Sequence, residues 1–148
     1  MDLREYSSDK GNRKLFRLLD ANFNRAREGV RVIEDIYRFY YDRREDILKL
    51  KQFRHDLAEC EKEYRSRLPL LSSRDTENDE GTEITLGVEI ERSGINDVVT
   101  GNFKRIEESL RVIEESGKLL LPELTVKIKS LRYRCYEIEK SLAKCEGG

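Results

Sequence analysis

Apolar residues recur every three or four positions along four stretches of this chain, and polar breaks separate the stretches. The spacing predicts four amphipathic helices, over residues 13–41, 46–66, 94–120 and 123–143. Pro122 precedes the last helix, where a proline suits the first helical turn. Residues 1–12 are polar and include Gly11–Asn12, so we expect an irregular start.

The first and third predicted helices contain the same motif. NFNRAREGVRVIED at residues 22–35 aligns with NFKRIEESLRVIEE at residues 102–115, with eight of fourteen positions identical at an offset of 80. A charge-rich composition alone would give roughly one identity in such a window. LKLKQFRHDLAECEKEY at residues 48–64 likewise aligns with VKIKSLRYRCYEIEKSL at residues 126–142, at an offset of 78. The sequence therefore contains a duplicated two-helix unit.

Two copies of a helical hairpin predict an all-α fold, an antiparallel four-helix bundle with pseudo-two-fold symmetry. We expect a single helical domain over residues 1–148, with hairpins at about 13–66 and about 94–143, the second repeat covering about 93–145. Residues 67–92 connect the hairpins, and structureless connections of this length are uncommon and often functional. A homodimer formed by further helix packing is compatible with this pattern.

Composition narrows the range of functions. The 148 residues include 29 basic and 30 acidic side chains, a balance that does not favour a nucleic acid or an anionic membrane as partner. No apolar run approaches a membrane span and no signal peptide is present, so we expect a cytoplasmic protein. Cys60, Cys135 and Cys145 lack metal-site spacing, and we expect reduced thiols.

Helical projection places two amides on apolar faces. Asn22 and Gly29 lie in the middle of the apolar face of the first helix, and Asn102 is the equivalent of Asn22 in the second repeat. A buried amide costs a few kcal/mol unless its donors and acceptor are paired. One interpretation is an Asn–Asn or Asn–backbone hydrogen bond that fixes helix register. The other is a ligand pocket between helices, in which Arg25 and Arg105 bind an anion.

The connecting loop carries residues that suit a metal-bound phosphate. Asp75, Asp79 and Glu83 are candidate Mg²⁺ ligands, because Mg²⁺ binds a few carboxylates and leaves its other positions to water and phosphate oxygens. Arg74 offers a bidentate fork to a phosphate group. Neutral donors stand beside it, namely Thr76, the Gly81 amide and Thr82. The alternative is an acidic loop that is simply exposed to solvent.

Other charged residues predict a solvated surface. Arg27 and Glu34 point away from the apolar face, and we expect Arg27 and Glu61 to belong to exposed faces with i,i+4 pairs. Arg54 and Arg132 stay open as functional candidates, since they are equivalent in the two repeats.

Motifs of the common nucleotide-binding and hydrolytic folds are absent from the sequence, including GxxxxGK[ST], GxGxxG, HExxH and GxSxG. His55 is the only histidine, and we expect a structural role for it rather than general-base catalysis. From the residues alone, the sequence predicts a helical protein that binds a phosphoanion.

Four ordered segments resemble the helical domain found at the N-terminus of thiamine-phosphate synthase in some bacteria and as a stand-alone protein in others. They are LLDANFNRAREGVRVIEDIYRF, SSRDTENDEGTE, NFKRIEESLRVIEE and KSLRYRCYEIE, within Leu15–Leu142. The resemblance implies a hydroxymethylpyrimidine-phosphate kinase unrelated in fold to ribokinase-like enzymes. The synthase barrel of the fused versions is absent, so synthase activity is not carried over.

The implied reaction converts 4-amino-5-hydroxymethyl-2-methylpyrimidine phosphate and ATP to the diphosphate and ADP, with Mg²⁺ as cofactor. The family's motif positions map onto Asn22, Arg25, Glu28, Arg31, Glu34, Arg74, Asp75, Thr76, Asp79, Gly81, Thr82, Asn102, Arg105, Glu108, Arg111 and Glu114. One departure is Glu80, where the family usually has an apolar residue before the loop glycine, which affects the expected packing of the loop.

These observations together give the expected site. We assign catalysis to Arg25, Arg74, Asp75 and Arg105, substrate binding to Asn22, Thr76, Gly81, Thr82, Asn102 and Arg132, and metal binding to Asp75 and Asp79. The loop would bind ATP with Mg²⁺, and the amide–arginine niche would bind the pyrimidine phosphate. The alternative is a non-catalytic module that binds thiamine precursors or docks onto thiamine-phosphate synthase.

Overall fold

The computed structural model describes residues 10–82 and 94–146, with their side chains except those of residue 82 and residues 144–146. This part of the chain contains four long helices, α1 (Lys10–Asp35), α2 (Arg44–Arg67), α3 (Ile95–Gly117) and α4 (Thr125–Glu146). It contains no strand, so the predicted all-α class is confirmed. None of the helices described is both long enough and apolar enough to cross a membrane.

The helix ends differ from the predicted ones by a few residues. α1 begins at Lys10 and includes Gly11–Asn12 in its first turn, where the sequence predicts an irregular start. At its other end α1 widens into a π-helical turn at Ile36–Tyr40, and Asp42 then adopts a φ of 53°. Aspartate tolerates this left-handed conformation better than most residues, so it reverses the chain before α2. Pro122 opens a 3₁₀ turn ahead of α4, as predicted.

The four helices form a bundle in which every neighbouring pair is antiparallel. The neighbouring pairs are α1–α2, α1–α3, α3–α4 and α2–α4. In each pair, a contact later in one helix involves a residue earlier in the other. For α1–α2 the contacts are Asp20–Arg65 and Glu34–Arg54, and for α1–α3 they are Glu28–Arg105 and Tyr41–Asn96, just after α1. For α3–α4 they are Lys104–Glu139 and Glu114–Arg132, and for α2–α4 they are Lys49–Ser141 and Asp56–Arg134. The predicted four-helix bundle of two hairpins is therefore confirmed.

The most extensive helix–helix contact joins α1 to α3. Gly29 lies at this contact, where a Cβ atom would lie 2.8 Å from Cγ1 of Ile106 and 3.2 Å from the carbonyl oxygen of Asn102. Phe23, Val30 and other apolar residues of all four helices complete a continuous core. The small residue predicted on the apolar face thus sets the distance between the two helices that carry the repeated motif.

Each hairpin contains the same ion pair, in which the glutamate is buried. Nε of Arg54 donates to Glu34 at 2.6 Å, and Nε of Arg132 donates to Glu114 at 2.9 Å. Glu34 is only 1% exposed, so the prediction that it faces solvent is wrong. The apolar-face projection missed it because the carboxylate is buried under an arginine of the next helix rather than under apolar atoms. These equivalent residues of the two repeats therefore have a structural function.

The long connection between the hairpins follows partly from topology. α2 ends beside the start of α1, where Arg65 contacts Asp20, whereas α3 begins beside the end of α1, where Asn96 contacts Tyr41. The connection must therefore pass along the bundle, a distance of about 35 Å for a helix the length of α3. An extended chain of at least ~10 residues is needed for this distance. Length alone is thus weaker evidence for a functional loop than the sequence suggested.

The two repeats differ where Arg27 of the first corresponds to Glu107 of the second. Arg27 donates to Glu61, whereas Glu107 faces Glu139, the equivalent of Glu61. Nζ of Lys104 lies 3.2 Å from Oε1 of both glutamates, but Oε2 of Glu107 is buried without a described partner. Burial, and then the nearby Glu139, raise the pKa of Glu107 to about 7.

We expect the Glu107→Gln variant to be more stable than the wild type at pH 8 by about 1–3 kcal/mol, and similar to it at pH 4.5. The folded state retains a proton on Glu107 that the unfolded state has lost, so wild-type stability falls as the pH rises from about 4.5 towards 7. Glutamine replaces the protonated form, and the variant does not lose this stability.

Denaturant unfolding at pH 4.5, 6 and 8 measures the effect, and Glu108→Gln on the exposed face of the same helix is the matched control. A stability difference between Glu107→Gln and the wild type that does not vary with pH would contradict the assignment of the proton to Glu107.

Candidate functional site

A cavity of about 650 Å³ opens between α1, the middle of α3 and the first part of the connecting loop. Its lining comprises Lys14, Arg17, Leu18, Asp20, Ala21, Asn22, Asn24, Arg25 and Glu28 of α1, Arg74, Asp75, Thr76 and Asp79 of the loop, and Arg105 of α3. Seven predicted site residues therefore meet at one cavity: Asn22, Arg25, Arg74, Asp75, Thr76, Asp79 and Arg105.

Equivalent arginines of the two repeats line this same cavity. Arg25 of α1 and Arg105 of α3 are related by the offset of 80, and the antiparallel contact of the two helices brings both to the cavity wall. Arg105 lies 3.5 Å from Glu28, whereas Arg25 forms no ion pair with any residue that the structure describes. The duplicated motif therefore contributes one cation from each repeat to the wall of one cavity.

Asp20 fixes the loop to α1. Arg74 donates to its carboxylate through Nε at 2.7 Å and Nη2 at 2.8 Å, and Arg65 donates through Nη1 at 3.0 Å. The Asp20 side chain is buried, and burial by itself would raise its pKa. The hydrogen bonds from the two arginines outweigh burial, so the pKa of Asp20 lies below its usual value. Asp20 is therefore ionised and anchors the loop at neutral pH.

The anchor extends into a chain of charges along the first hairpin. Arg65 also donates to Glu61 at 2.7 Å, and Arg27 donates to the same carboxylate at 2.6 Å. Glu61 is buried between these two arginines. The prediction that Arg27 and Glu61 belong to exposed faces with i,i+4 pairs is wrong, because Arg27 pairs across the hairpin. Sequence reasoning missed Asp20 altogether, although it stands in the first repeat where the second has Thr100.

The loop presents two carboxylates at the mouth of the cavity. Both oxygens of Asp75 accept hydrogen bonds from Asn78, from its amide nitrogen and its side chain, and these lower the pKa of Asp75. Oδ1 of Asp79 accepts the backbone N–H of Gly81 at 2.9 Å. The backbone amide of Gly81 thus shapes the loop, and Gly81 itself does not line the cavity.

The chemistry of the loop carboxylates is compatible with a magnesium ion that is shared with phosphate groups. Asp75 and Asp79 carry carboxylate oxygens, the ligand type that Mg²⁺ prefers, and Mg²⁺ normally completes its shell with water and phosphate oxygens. No group of three or more His, Cys, Asp or Glu side chains in residues 10–82 and 94–146 is arranged to hold a metal ion. Glu83, the third predicted ligand, lies outside the described residues.

The two amides turn out to bond within their own helices. Nδ2 of Asn22 donates to the carbonyl of Leu18, and Nδ2 of Asn102 donates to the carbonyl of Val98, both at 2.8 Å. The side-chain NH₂ groups of both residues therefore bond to backbone carbonyls, as the Asn–backbone interpretation predicted. Asn22 is also part of the cavity wall, whereas Asn102 is not.

Two further predicted site residues, Arg132 and Gly81, stand apart from the cavity. Arg132 is buried in its pair with Glu114, in the second hairpin. Its partner in the repeat, Arg54, pairs in the same way with Glu34. Gly81 is outside the lining, and the Thr82 side chain is not described.

The buried thiols Cys60 and Cys135 are free, and burial raises the pKa of both, that of Cys60 to about 11.

Comparison with known proteins places both copies of the repeated motif within one family match. The model of the ThiD2 family matches residues 17–141. The chain is 41% identical over 128 residues to a thiamine-phosphate synthase of Nostoc punctiforme, covering 86% of the chain and 35% of that protein. It is 43% identical over 126 residues to a thiamine-phosphate synthase of Synechocystis sp., covering 85% and 35%.

The chain thus spans about a third of the length of these curated relatives. No solved structure matches it. The family match covers both helical hairpins and the loop residues that line the cavity, and the family predicted from the sequence is confirmed. On this evidence the chain belongs to the ThiD2 family.

Proposed function

We propose that the chain acts in thiamine biosynthesis as an ATP-dependent kinase that phosphorylates 4-amino-5-hydroxymethyl-2-methylpyrimidine phosphate to the diphosphate. The names of the relatives, thiamine-phosphate synthase, support the pathway. The chain covers only about a third of those proteins, so their synthase activity is not proposed for it. The phosphotransfer is supported by the resemblance of the motifs and by the contents of the cavity.

The observation that carries the proposal is the meeting of Arg25, Arg105 and Arg74 with two loop carboxylates at one cavity. Phosphoryl transfer between two polyanions needs cations that hold both substrates and balance the charge of the transition state. Arginine suits this task, because its planar fork binds phosphate oxygens through two parallel hydrogen bonds.

The acceptor needs no general base from the protein. An oxygen of the pyrimidine phosphate attacks the γ-phosphorus of ATP, a new P–O bond forms, and the bond between the γ-phosphorus and the bridging oxygen breaks to release ADP. The second pKa of a phosphate monoester is about 6, so the attacking oxygen is mostly deprotonated near pH 7. This agrees with the exposed position of His55 on α2, away from the cavity lining.

Each part of the cavity has a task in this reaction. Arg25 and Arg105 bind the phosphate of the acceptor. Arg74 uses Nε and Nη2 on Asp20, which leaves Nη1 to donate to a phosphate of ATP. Asn22 has used Nδ2 on Leu18, which leaves its Oδ1 atom to accept a hydrogen bond from the amino group of the pyrimidine. Asp75 and Asp79 would hold Mg²⁺, which supplies charge neutralisation for the phosphates of ATP when bound.

The second candidate function is a non-catalytic module that binds thiamine precursors or docks onto thiamine-phosphate synthase. The observation in its favour is that the curated relatives named as synthases contain this region within a much longer chain. A coupled assay for ADP release, with the pyrimidine phosphate, ATP and Mg²⁺, separates the two. Turnover supports the kinase, whereas binding of the pyrimidine phosphate without turnover supports the module.

We expect Asp75→Asn combined with Asp79→Asn to lower turnover by about 100-fold or more, because the loop then lacks the charge to hold Mg²⁺ beside the phosphates. The ADP-release assay at increasing Mg²⁺ concentrations measures the loss and its metal dependence. Glu77→Gln, an exposed acid in the same loop, is the matched control and should retain activity. Unchanged turnover and unchanged Mg²⁺ dependence in the double variant would refute the role of the loop.

We also expect Asp20→Thr, which installs the residue of the second repeat, to release the loop from α1. Arg65 and Arg74 then lose their shared partner, and the free energy of unfolding should fall by about 1–3 kcal/mol. Trypsin should cleave after Arg74 several-fold faster, and turnover should fall with the loss of loop order. Limited proteolysis followed by mass spectrometry measures the cleavage site and rate.

Glu63→Gln, which breaks an exposed ion pair with Lys127, is the control for Asp20→Thr and should change stability by less than about 1 kcal/mol. Equal cleavage rates after Arg74 in the wild type and in Asp20→Thr would show that Asp20 does not anchor the loop.

A further inference from the structure

Most arginines of the bundle have a carboxylate partner. In the described part of the chain these are Arg27, Arg31, Arg43, Arg54, Arg65, Arg67, Arg74, Arg105, Arg111, Arg132 and Arg134. Five arginines have no described carboxylate within ion-pair distance, namely Arg13, Arg17, Arg25, Arg38 and Arg44, and the same holds for Lys14. Of these six cations, Lys14, Arg17 and Arg25 line the cavity. Three cations without a described ion-pair partner therefore face one concave surface.

The three cations follow one side of α1. Lys14, Ala21, Arg25 and Glu28 are spaced by seven, four and three residues, which places them on one helix face, and Arg17 lies beside them. Lys14 and Arg25 are separated along the helix axis by about 16 Å. This distance is too long for a single phosphate group to contact both ends, so the cavity offers two separate positions for anions.

The cavity lining carries five cations and four carboxylates, which leaves one positive charge uncompensated. Asp20 is already bonded to Arg65 and Arg74, and Glu28 faces Arg105. Asp75 is bonded to Asn78, and Arg17 contributes only a smaller, longer-range effect to its lowered pKa. Like charges that line one concave surface repel one another, and a bound polyanion removes that repulsion.

The second repeat does not reproduce these cations. The positions equivalent to Lys14 and Arg17 are Gly94 and Asp97, and the position equivalent to the loop anchor Asp20 is Thr100. By contrast, Arg25 and Arg105 are the same residue in both repeats. The pseudo-two-fold symmetry is therefore kept at the centre of the cavity and broken at its outer end.

We propose that Lys14 and Arg17 form a subsite for the polyphosphate chain of a nucleoside triphosphate, and that each chain has one such subsite. This inference deepens the proposed kinase function and rests on it for the identity of the second substrate. Arg25 and Arg105 bind the acceptor phosphate at the centre, while Lys14 and Arg17 hold the phosphates that leave with the nucleoside diphosphate. Neither residue belongs to the set of site residues expected from the sequence.

The test uses inorganic tripolyphosphate, which needs neither adenine recognition nor turnover. Isothermal titration calorimetry in low-salt buffer without Mg²⁺ should give one binding site per chain for the wild type. The variant with Lys14→Gln and Arg17→Gln should bind about tenfold more weakly, because two charge-assisted contacts are lost. Arg44→Gln removes an exposed, unpaired charge at the other end of the bundle and should bind within about twofold of the wild type.

ATP in the same titration distinguishes a nucleotide from free polyphosphate as the ligand. If the double variant Lys14→Gln with Arg17→Gln loses as much affinity for ATP as for tripolyphosphate, the proposal is supported. If only tripolyphosphate binds more weakly, the assignment of the subsite to a nucleotide is overturned. Two sites per chain, equal weakening by Arg44→Gln, or no binding by the wild type would each overturn the subsite. Thermal unfolding verifies that the variants fold, and the single variant Arg17→Gln carries the test if the double variant is unfolded.

Kinase turnover distinguishes failure of the subsite from failure of the proposed function. Turnover with an unchanged KM for ATP in the double variant would overturn the subsite and leave the kinase standing. Tripolyphosphate binding with the expected pattern, but without any turnover of the pyrimidine phosphate, would support the subsite and overturn the kinase.

Discussion

The close contact of α1 and α3 determines which residues of the two repeats come together at the cavity. Gly29 lets the two helices approach until a Cβ atom would overlap Ile106, and the antiparallel arrangement brings equivalent residues of the two repeats together near one axis. Arg25 and Arg105 reach the same cavity for this reason. Because the two arginines belong to helices packed in the core, the backbone positions from which their exposed side chains extend are fixed.

A second constraint comes from the direction of the helices. α2 and α3 run the same way, so the chain between them must return along the bundle, and part of that connection passes over the N-terminal half of α1. The buried carboxylate of Asp20 accepts hydrogen bonds from Arg74 where the connection passes α1. This contact keeps Asp75 and Asp79 at the cavity. A connection required by topology thereby becomes the third wall of the site.

Much of this could be predicted from the sequence, because it depends on local periodicity. The helices, the duplication and the buried position of Gly29 all follow from the spacing of apolar residues. The burial of Glu34 and Glu61 could not be predicted, because it depends on which arginine of a neighbouring helix lies opposite. Asp20 was missed for the same reason, since its partner Arg74 is far away in the sequence. Long-range ion pairs leave no periodic pattern in a charge-rich chain.

The duplication itself helps to separate structure from function. Glu34 with Arg54, and their equivalents in the second repeat, recur because each hairpin needs the same buried clamp. The bundle does not require a residue to recur where the two repeats differ. Asp20 and Lys14 are such residues, because their equivalents in the second repeat are Thr100 and Gly94. Both line the cavity, on the side of α1 that the loop covers. Equivalent residues therefore build the bundle and place Arg25 and Arg105 at one cavity, whereas Lys14 and Asp20 give that cavity residues that the second repeat does not have.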